Sequence, residues 1–178
     1  MRTYHAPRLA IPVGPHDHAR GDLEAPVTVV EYGDYQCPYC GAAHPVTKKV
    51  TQVARIRFVF RHFPITTLHP HAELAAEAAE AAGAQGKFWQ MHDWIYEHQE
   101  TIAPEDLVAA AAHLRLDVKR FEADLGAHRN EKTIRDHFMS GVRSGVNGTP
   151  TFFINGVRHD GGYELEELLE AIQAAAPA

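Results

Sequence analysis

The sequence predicts an α/β chain with a helical block set into its middle, and three observations carry that reading. A β-α-β order opens after residue 24, nearly every segment between 71 and 144 has helical composition, and strand character returns at 148–161 before a closing amphipathic helix. Two strands joined by a single helix form a parallel pair with a crossover, so the returning strand must rejoin their sheet across the helical block.

Taken in order, residues 1–24 are rich in Pro, His and Gly, show no period, and read as an extended arm. "APVTVVEY", 25–32, is β-branched and bounded by Pro26 and Gly33, which marks a buried strand. From Pro38 the composition is helical, with Pro45 expected to kink or interrupt the helix. "RIRFVFRHF", 55–63, is a second strand that Pro64 stops. The helical block breaks at Gly83 and Gly86, at Ala103-Pro104, and around Gly126. Pro104 with Glu105 and Asp106 suits a first helical turn. Within it, Glu73, Glu77 and Glu80 are expected to form a solvated stripe. Trp89, His92 or Asp93, Ile95 and Tyr96 keep a helical period that reads as core packing. Asn155-Gly156 between Thr151–Ile154 and Val157-Arg158 signals a two-residue hairpin, because a type I′ turn needs positive φ at both central positions. Leu165, Leu168, Leu169 and Ile172 then line one face of the last helix.

Bulk properties narrow the function classes. The 178 residues carry a formal net charge of -6 with a sequence pI near 6.1, which gives no broad basic surface for nucleic acid. No run of about eighteen apolar residues suggests a membrane span. The N-terminal segment lacks the apolar core of a signal peptide, so a native start at Met1 implies a cytoplasmic protein, and an exported form stays open if the start is not native.

Both cysteines, Cys37 and Cys40, lie in "EYGDYQCPYCGAAHP", 31–45. In a reducing compartment such a pair is catalytic, redox-sensing or metal-binding more often than a permanent crosslink, and a disulfide across so short a loop removes little chain entropy. A strand running into C-P-Y-C and then a helix puts Cys37 at the N-cap, Pro38 at N1, Tyr39 at N2 and Cys40 at N3. The unpaired N–H groups of Tyr39 and Cys40 and the helix dipole then favour a Cys37 thiolate, with a pKa below the free value of about 8.5. Cys37 is therefore the nucleophile and Cys40 the resolving thiol. Glu31, near the end of the preceding strand, is either an exposed strand-end carboxylate or the acid that serves the resolving thiol.

Two motifs, "VVEYGDYQCPYC" with Glu31 six residues before Cys37 and "VNGTPTFFINGV" with Thr149-Pro150, resemble the DsbA-like branch of the thioredoxin superfamily. The resemblance covers nearly the whole chain beyond the arm. It implies a thioredoxin-like fold over 25–64 and 145–178 with an inserted helical domain over 65–144. It also implies thiol-disulfide exchange with protein or peptide substrates, with glutathione as a further candidate partner, through a Cys37-Cys40 redox disulfide and no other cofactor. On this likeness Pro150 is in a cis peptide bond against the active-site sulfur. The Thr149 backbone would pair with an extended substrate segment, and Pro38 and Tyr39 join the substrate-facing set. Glu31 corresponds to a buried acid beneath the second cysteine. The central dipeptide departs from the pattern: Pro-Tyr is associated with glutaredoxins, whereas the strongly oxidising relatives resemble C-P-H-C. Tyr39 cannot carry positive charge, which implies a less oxidising couple, running toward reduction or isomerisation in a cytoplasm.

Two other readings use the same residues. The cysteines could supply soft ligands to a metal or iron-sulfur cluster. Alternatively, the fold could serve a glutathione-dependent transferase or isomerase of the kappa type, although such enzymes resemble single-nucleophile sites. The thirteen histidines, including "HDH" at 16–18 and "HPH" at 69–71, come without HExxH or a second CxxC, so they read as scattered surface residues and no metal site is assigned. His44, one turn after Cys40, could approach the site or lie on the surface.

Overall fold

The computed structural model describes residues 6–177. The first five residues of the expected arm, and Ala178, lie outside the described residues. Five strands form one mixed sheet: β1 His18–Gly21, β2 Val27–Gly33, β3 Ile56–His62, β4 Thr151–Ile154 and β5 Val157–His159, in the order β1-β3-β2-β4-β5. β2 and β3 are parallel in the register Val29↔Phe58 and Glu31↔Phe60, joined by helix α1 Pro38–Val53. β4 returns antiparallel to β2, with Glu31 opposite Phe152, and β5 closes the hairpin through Asn155 and Gly156 at φ 47° and 76°. Positive φ at both positions is what the type I′ turn demands.

The arm departs from its expectation. His18–Gly21 pairs antiparallel with β3 as an edge strand, too short and polar to show a two-residue period. Buried Arg61 explains why the rest of the arm is held. Its guanidinium donates to both carboxylate oxygens of Asp17 at 2.8 and 2.9 Å and to the carbonyls of Ile11 and Pro12 at 2.8 and 3.1 Å.

Each face of the sheet has its own core. Val29, Phe58 and Phe60 join α1 and the closing helix α7 Leu165–Ala175, which buries Leu168 and Ile172. On the other face Val30, Tyr32, Val59 and Phe153 pack against Leu9 and Val13 of the arm and Phe138. Between β3 and β4 stand five helices: α2 Ala72–Gly83, α3 Phe88–Glu97, α4 Pro104–His113, α5 Val118–Gly126 and α6 Glu131–Arg143. α4 starts as its sequence indicates, with Pro104 in the first turn and the Asp106 carboxylate accepting from the Ala103 N–H at 3.0 Å.

Three local expectations are corrected. α1 runs through Pro45 to Val53, so Pro45 does not interrupt the helix. The Glu stripe of α2 is not solvated. Glu73 is exposed, but Glu77 is buried against His128 at 3.0 Å, and Glu80 takes His18 at 2.9 Å and His62 at 2.8 Å on its two oxygens. α2 carries so much alanine that neighbouring elements reach it from nearly every side, and its carboxylates are covered together with the backbone. Nor are all the histidines on the surface: His44, His62 and His92 are buried. Among α3 residues the expected packing is found, with Met91, His92, Ile95 and Tyr96 buried and Trp89 packed at the core edge.

Candidate active site

The cysteine pair sits where β2 meets α1. Cys37 is the N-cap of α1 in extended conformation (φ -69°, ψ 122°), Pro38 begins the helix, and the Gly41 N–H bonds to the Cys37 carbonyl at 3.1 Å. Both cysteines are free thiols, Cys37 4% exposed and Cys40 fully buried. The Thr149–Pro150 peptide is cis, and it delivers the Thr149 carbonyl to 3.3 Å from Cys37 Sγ, where a neutral thiol donates to it.

The two sulfurs are electrostatically unlike. A hydrogen bond from the Cys40 thiol pulls the Cys37 pKa down to about 5, and the Cys40 and Tyr39 backbone N–H groups act in the same direction against partial burial. The helix terminus thus contributes as its sequence position suggests, while the partner thiol contributes most. Burial pushes Cys40 well above the ordinary thiol range, reinforced by its bond to Cys37 and by the negative charge of Glu31.

Glu31 is 2% exposed on β2, on the sheet face that α1 covers. Burial raises its pKa to about 8, Arg20 opposes the shift, and a Cys37 thiolate adds to it. The exposed-carboxylate reading of Glu31 is therefore replaced by a buried acid in electrostatic contact with both sulfurs. Tyr39 projects outward, 65% exposed, while Thr149 and Pro150 are half-buried beside Cys37. His44 belongs to neither of its expected places. It is a buried residue of α1 itself, with its ring 5.0 Å from that of Tyr96 and its Nε2 3.6 Å from Asp93.

The site also contains residues to which sequence reasoning attached no role. Asp34 lies between β2 and the cysteines with its side chain wholly buried. Gln99, in the loop after α3, donates through Nε2 to the carbonyls of Tyr35 at 2.8 Å and Cys37 at 2.9 Å. A Cβ on Gly41 would collide with this Gln99 amide, so the residue after Cys40 must be glycine for the clamp to close. The G-D-Y-Q stretch did carry a turn signal at Asp34, but its Ile65 and His69 partners and those of Gln99 come from distant sequence. Among the described residues the side-chain groups that could hold a metal ion are His44–His92–Asp93 and His62–Glu80–His137, and neither includes a cysteine.

Comparison with known proteins follows this geometry. The family model described as Thioredoxin matches residues 14–174. The structure superposes on oxidised BdbD from Bacillus subtilis with a TM-score of 0.85 at 22% identity, covering 96% of this chain and 97% of that one. It superposes on a thioredoxin-like oxidoreductase from Silicibacter pomeroyi with a TM-score of 0.82 at 29% identity, over 91% and 93%. In sequence the chain is 50% identical over 169 residues to the Na(+)/H(+) antiporter NhaA 1 of Salinispora arenicola, covering 94% of this chain and 26% of that protein. The chain thus spans about a quarter of the length of the curated relatives it matches, and no helix among its described residues is long and apolar enough to cross a membrane. What it shares with those antiporters is the segment whose fold is described above, and by the family match over 14–174 the chain belongs to the thioredoxin family, with five helices set between β3 and β4 of its sheet.

Proposed function

We propose that this chain is a thiol-disulfide oxidoreductase acting on protein or peptide disulfides through Cys37 and Cys40. The observation that carries the reading is the asymmetry of the pair: a stabilised Cys37 sulfur at a helix N-terminus beside a cis-proline carbonyl, and a buried Cys40 behind it that resists ionisation.

In the reducing direction the Cys37 thiolate attacks one sulfur of a substrate disulfide. The new Cys37–substrate bond forms as the substrate S–S bond breaks, and the departing thiolate takes a proton from solvent. Cys40 then loses its proton, attacks Cys37 Sγ and releases the second substrate thiolate. Two electrons have passed from the cysteine pair to the substrate, and the pair is left as a disulfide. The carboxylate form of Glu31, the minor form at neutral pH with a pKa of about 8, accepts the Cys40 proton, and the acid form returns it when the reaction runs the other way. Thr149 offers its backbone beside the reacting sulfur for an extended peptide, and Pro38 and Tyr39 form the opposite wall.

Tyr39 supplies only its N–H to the Cys37 thiolate, so no cation in the dipeptide favours the reduced state. A Cys37 pKa of about 5 falls between the values of about 7 and about 3.5 for reducing and strongly oxidising members of the superfamily. The lack of a cation in the dipeptide supports a couple less oxidising than the strongly oxidising members. Reduction of insulin disulfides tests the activity: wild-type protein accelerates it, and Cys37→Ala removes the acceleration. An unchanged rate in Cys37→Ala contradicts the assignment.

A further inference from the structure

Asp34 uses every polar group it has. Its N–H donates to Cys40 Sγ at 3.5 Å, and its carbonyl accepts from the Cys37 N–H at 3.1 Å. Oδ1 accepts from the Gln36 N–H at 2.8 Å, closing a tight turn just before the redox pair. Oδ2 reaches across to the first residues of the helical block, where it takes the Ile65 N–H at 2.7 Å and His69 Nδ1 at 2.8 Å. The side chain is wholly buried, and a buried carboxylate keeps its place only when its oxygens are satisfied, so all of these contacts hold together or fail together.

We propose that Asp34 is a positioning residue for disulfide exchange, locking the turn that aims Cys40 Sγ at Cys37 and tying that turn to the helical insertion through Ile65 and His69. The electrons pass between the Cys37 and Cys40 sulfurs, while the Asp34 carboxylate is taken up by Gln36, Ile65 and His69. Its effect is on geometry. An intramolecular disulfide forms in proportion to the effective concentration of one thiol at the other, and that falls when the turn carrying Cys40 loosens. The hydrogen bond from Cys40 to the Cys37 thiolate weakens with it.

The inference rests on the proposed exchange activity, and three variants separate the two. Asp34→Ala removes both carboxylate oxygens. Asp34→Asn keeps an acceptor for only one of the Gln36 and Ile65 N–H groups and loses the charge. His69→Ala removes one tie from the partner side. Each is compared with wild type in equilibrium with reduced and oxidised glutathione, with the Cys37–glutathione mixed disulfide counted by mass. Its resolution rate, the 240 nm thiolate titration and the circular dichroism spectrum are also recorded. The expected result for Asp34→Ala is a loss of about fivefold or more in the intramolecular disulfide constant. Mixed disulfide should accumulate in step with that loss, and the Cys37 thiolate titration should move upward. Asp34→Asn and His69→Ala should shift the same way by less. Should Asp34→Ala not fold, the two milder variants decide. Folded variants whose disulfide constant and resolution rate all stay within twofold of an active wild type overturn the role of Asp34. A wild type that forms no Cys37–Cys40 disulfide overturns the functional reading instead.

Discussion

Cys37 Sγ lies 3.3 Å from the carbonyl oxygen of Thr149, 112 residues further along the chain. That contact joins the end of one central strand to the start of its antiparallel neighbour, because β2 and β4 pair directly with Tyr32 opposite Thr151. The helical block that separates the two residues in sequence leaves the sheet as a closed loop and returns to it. The Cys37 sulfur thus has a helix N-terminus on one side and the Thr149 backbone on the other.

The roles of the two cysteines are separable by substitution. Cys37→Ser should lower exchange by at least about a hundredfold, since the hydroxyl is not ionised near neutrality. Cys40→Ser should leave the first attack intact and trap a covalent Cys37–substrate disulfide. Mass spectrometry after mixing with a disulfide-bonded peptide reads both outcomes. A stable adduct on Cys40 in the Cys37→Ser protein would reverse the assignment.

Cys37 should titrate far below a free thiol. Its pKa of about 5 predicts that alkylation of the reduced protein is nearly independent of pH above neutrality and slows as pH falls through 5. Because the folded value lies below the unfolded one, the thiolate stabilises the reduced fold fully above the unfolded pKa. That contribution fades as pH drops toward 5. The pH dependence of iodoacetamide labelling by quenched mass analysis checks the first point. A midpoint above 8 would contradict it.

Glu31 contributes with the opposite sign. Its folded pKa of about 8 exceeds its unfolded value, so an unfolded chain ionises first and stability declines between about pH 4.5 and 8 as burial of the charge becomes unfavourable. Glu31→Gln should therefore raise the melting temperature at pH 8 more than at pH 5. It should also slow resolution by Cys40 by roughly ten- to a hundredfold. Thermal unfolding at the two pH values, with stopped-flow resolution kinetics, tests both effects.

The arm should be held chiefly by one ion pair. Arg61 is 3% and Asp17 7% exposed in their side chains. Burial alone would raise the Asp17 pKa, but the hydrogen bonds from Arg61 and the Gly14 N–H overcome it and leave it lowered. Arg61→Ala strands a buried carboxylate and should cost about 3–5 kcal/mol, measured by urea denaturation. With a lowered folded pKa, the Asp17 contribution is present above the unfolded value near 3.8 and disappears as pH falls through the folded one.

Much of this arrangement was legible in the sequence because its signals are local. The buried strand before Cys37, Pro38 after it, and Asn155-Gly156 in the last hairpin each specify backbone conformation within a few residues. What escaped notice depends on distant partners. β1 becomes a strand because β3 offers it an edge, not through its own four residues. Glu77 and Glu80 look like solvent-facing helix positions until His128, His18 and His62 arrive to satisfy them. Asp34 and Gln99 act the same way beside the cysteines: each is an ordinary polar residue in sequence, and the insertion folding back on the CPYC turn gives Asp34 Oδ2 its Ile65 and His69 partners and brings Gln99 to the Tyr35 and Cys37 carbonyls.

The redox equilibrium of the Cys37–Cys40 pair against glutathione, read as the fraction carrying the intramolecular disulfide, tests the central claim most directly. The account predicts a single two-electron transition with a midpoint between about -270 and -120 mV, the range between reducing and strongly oxidising superfamily members. Two thiols that titrate independently, or that form glutathione adducts without ever closing the Cys37–Cys40 bond, would contradict it.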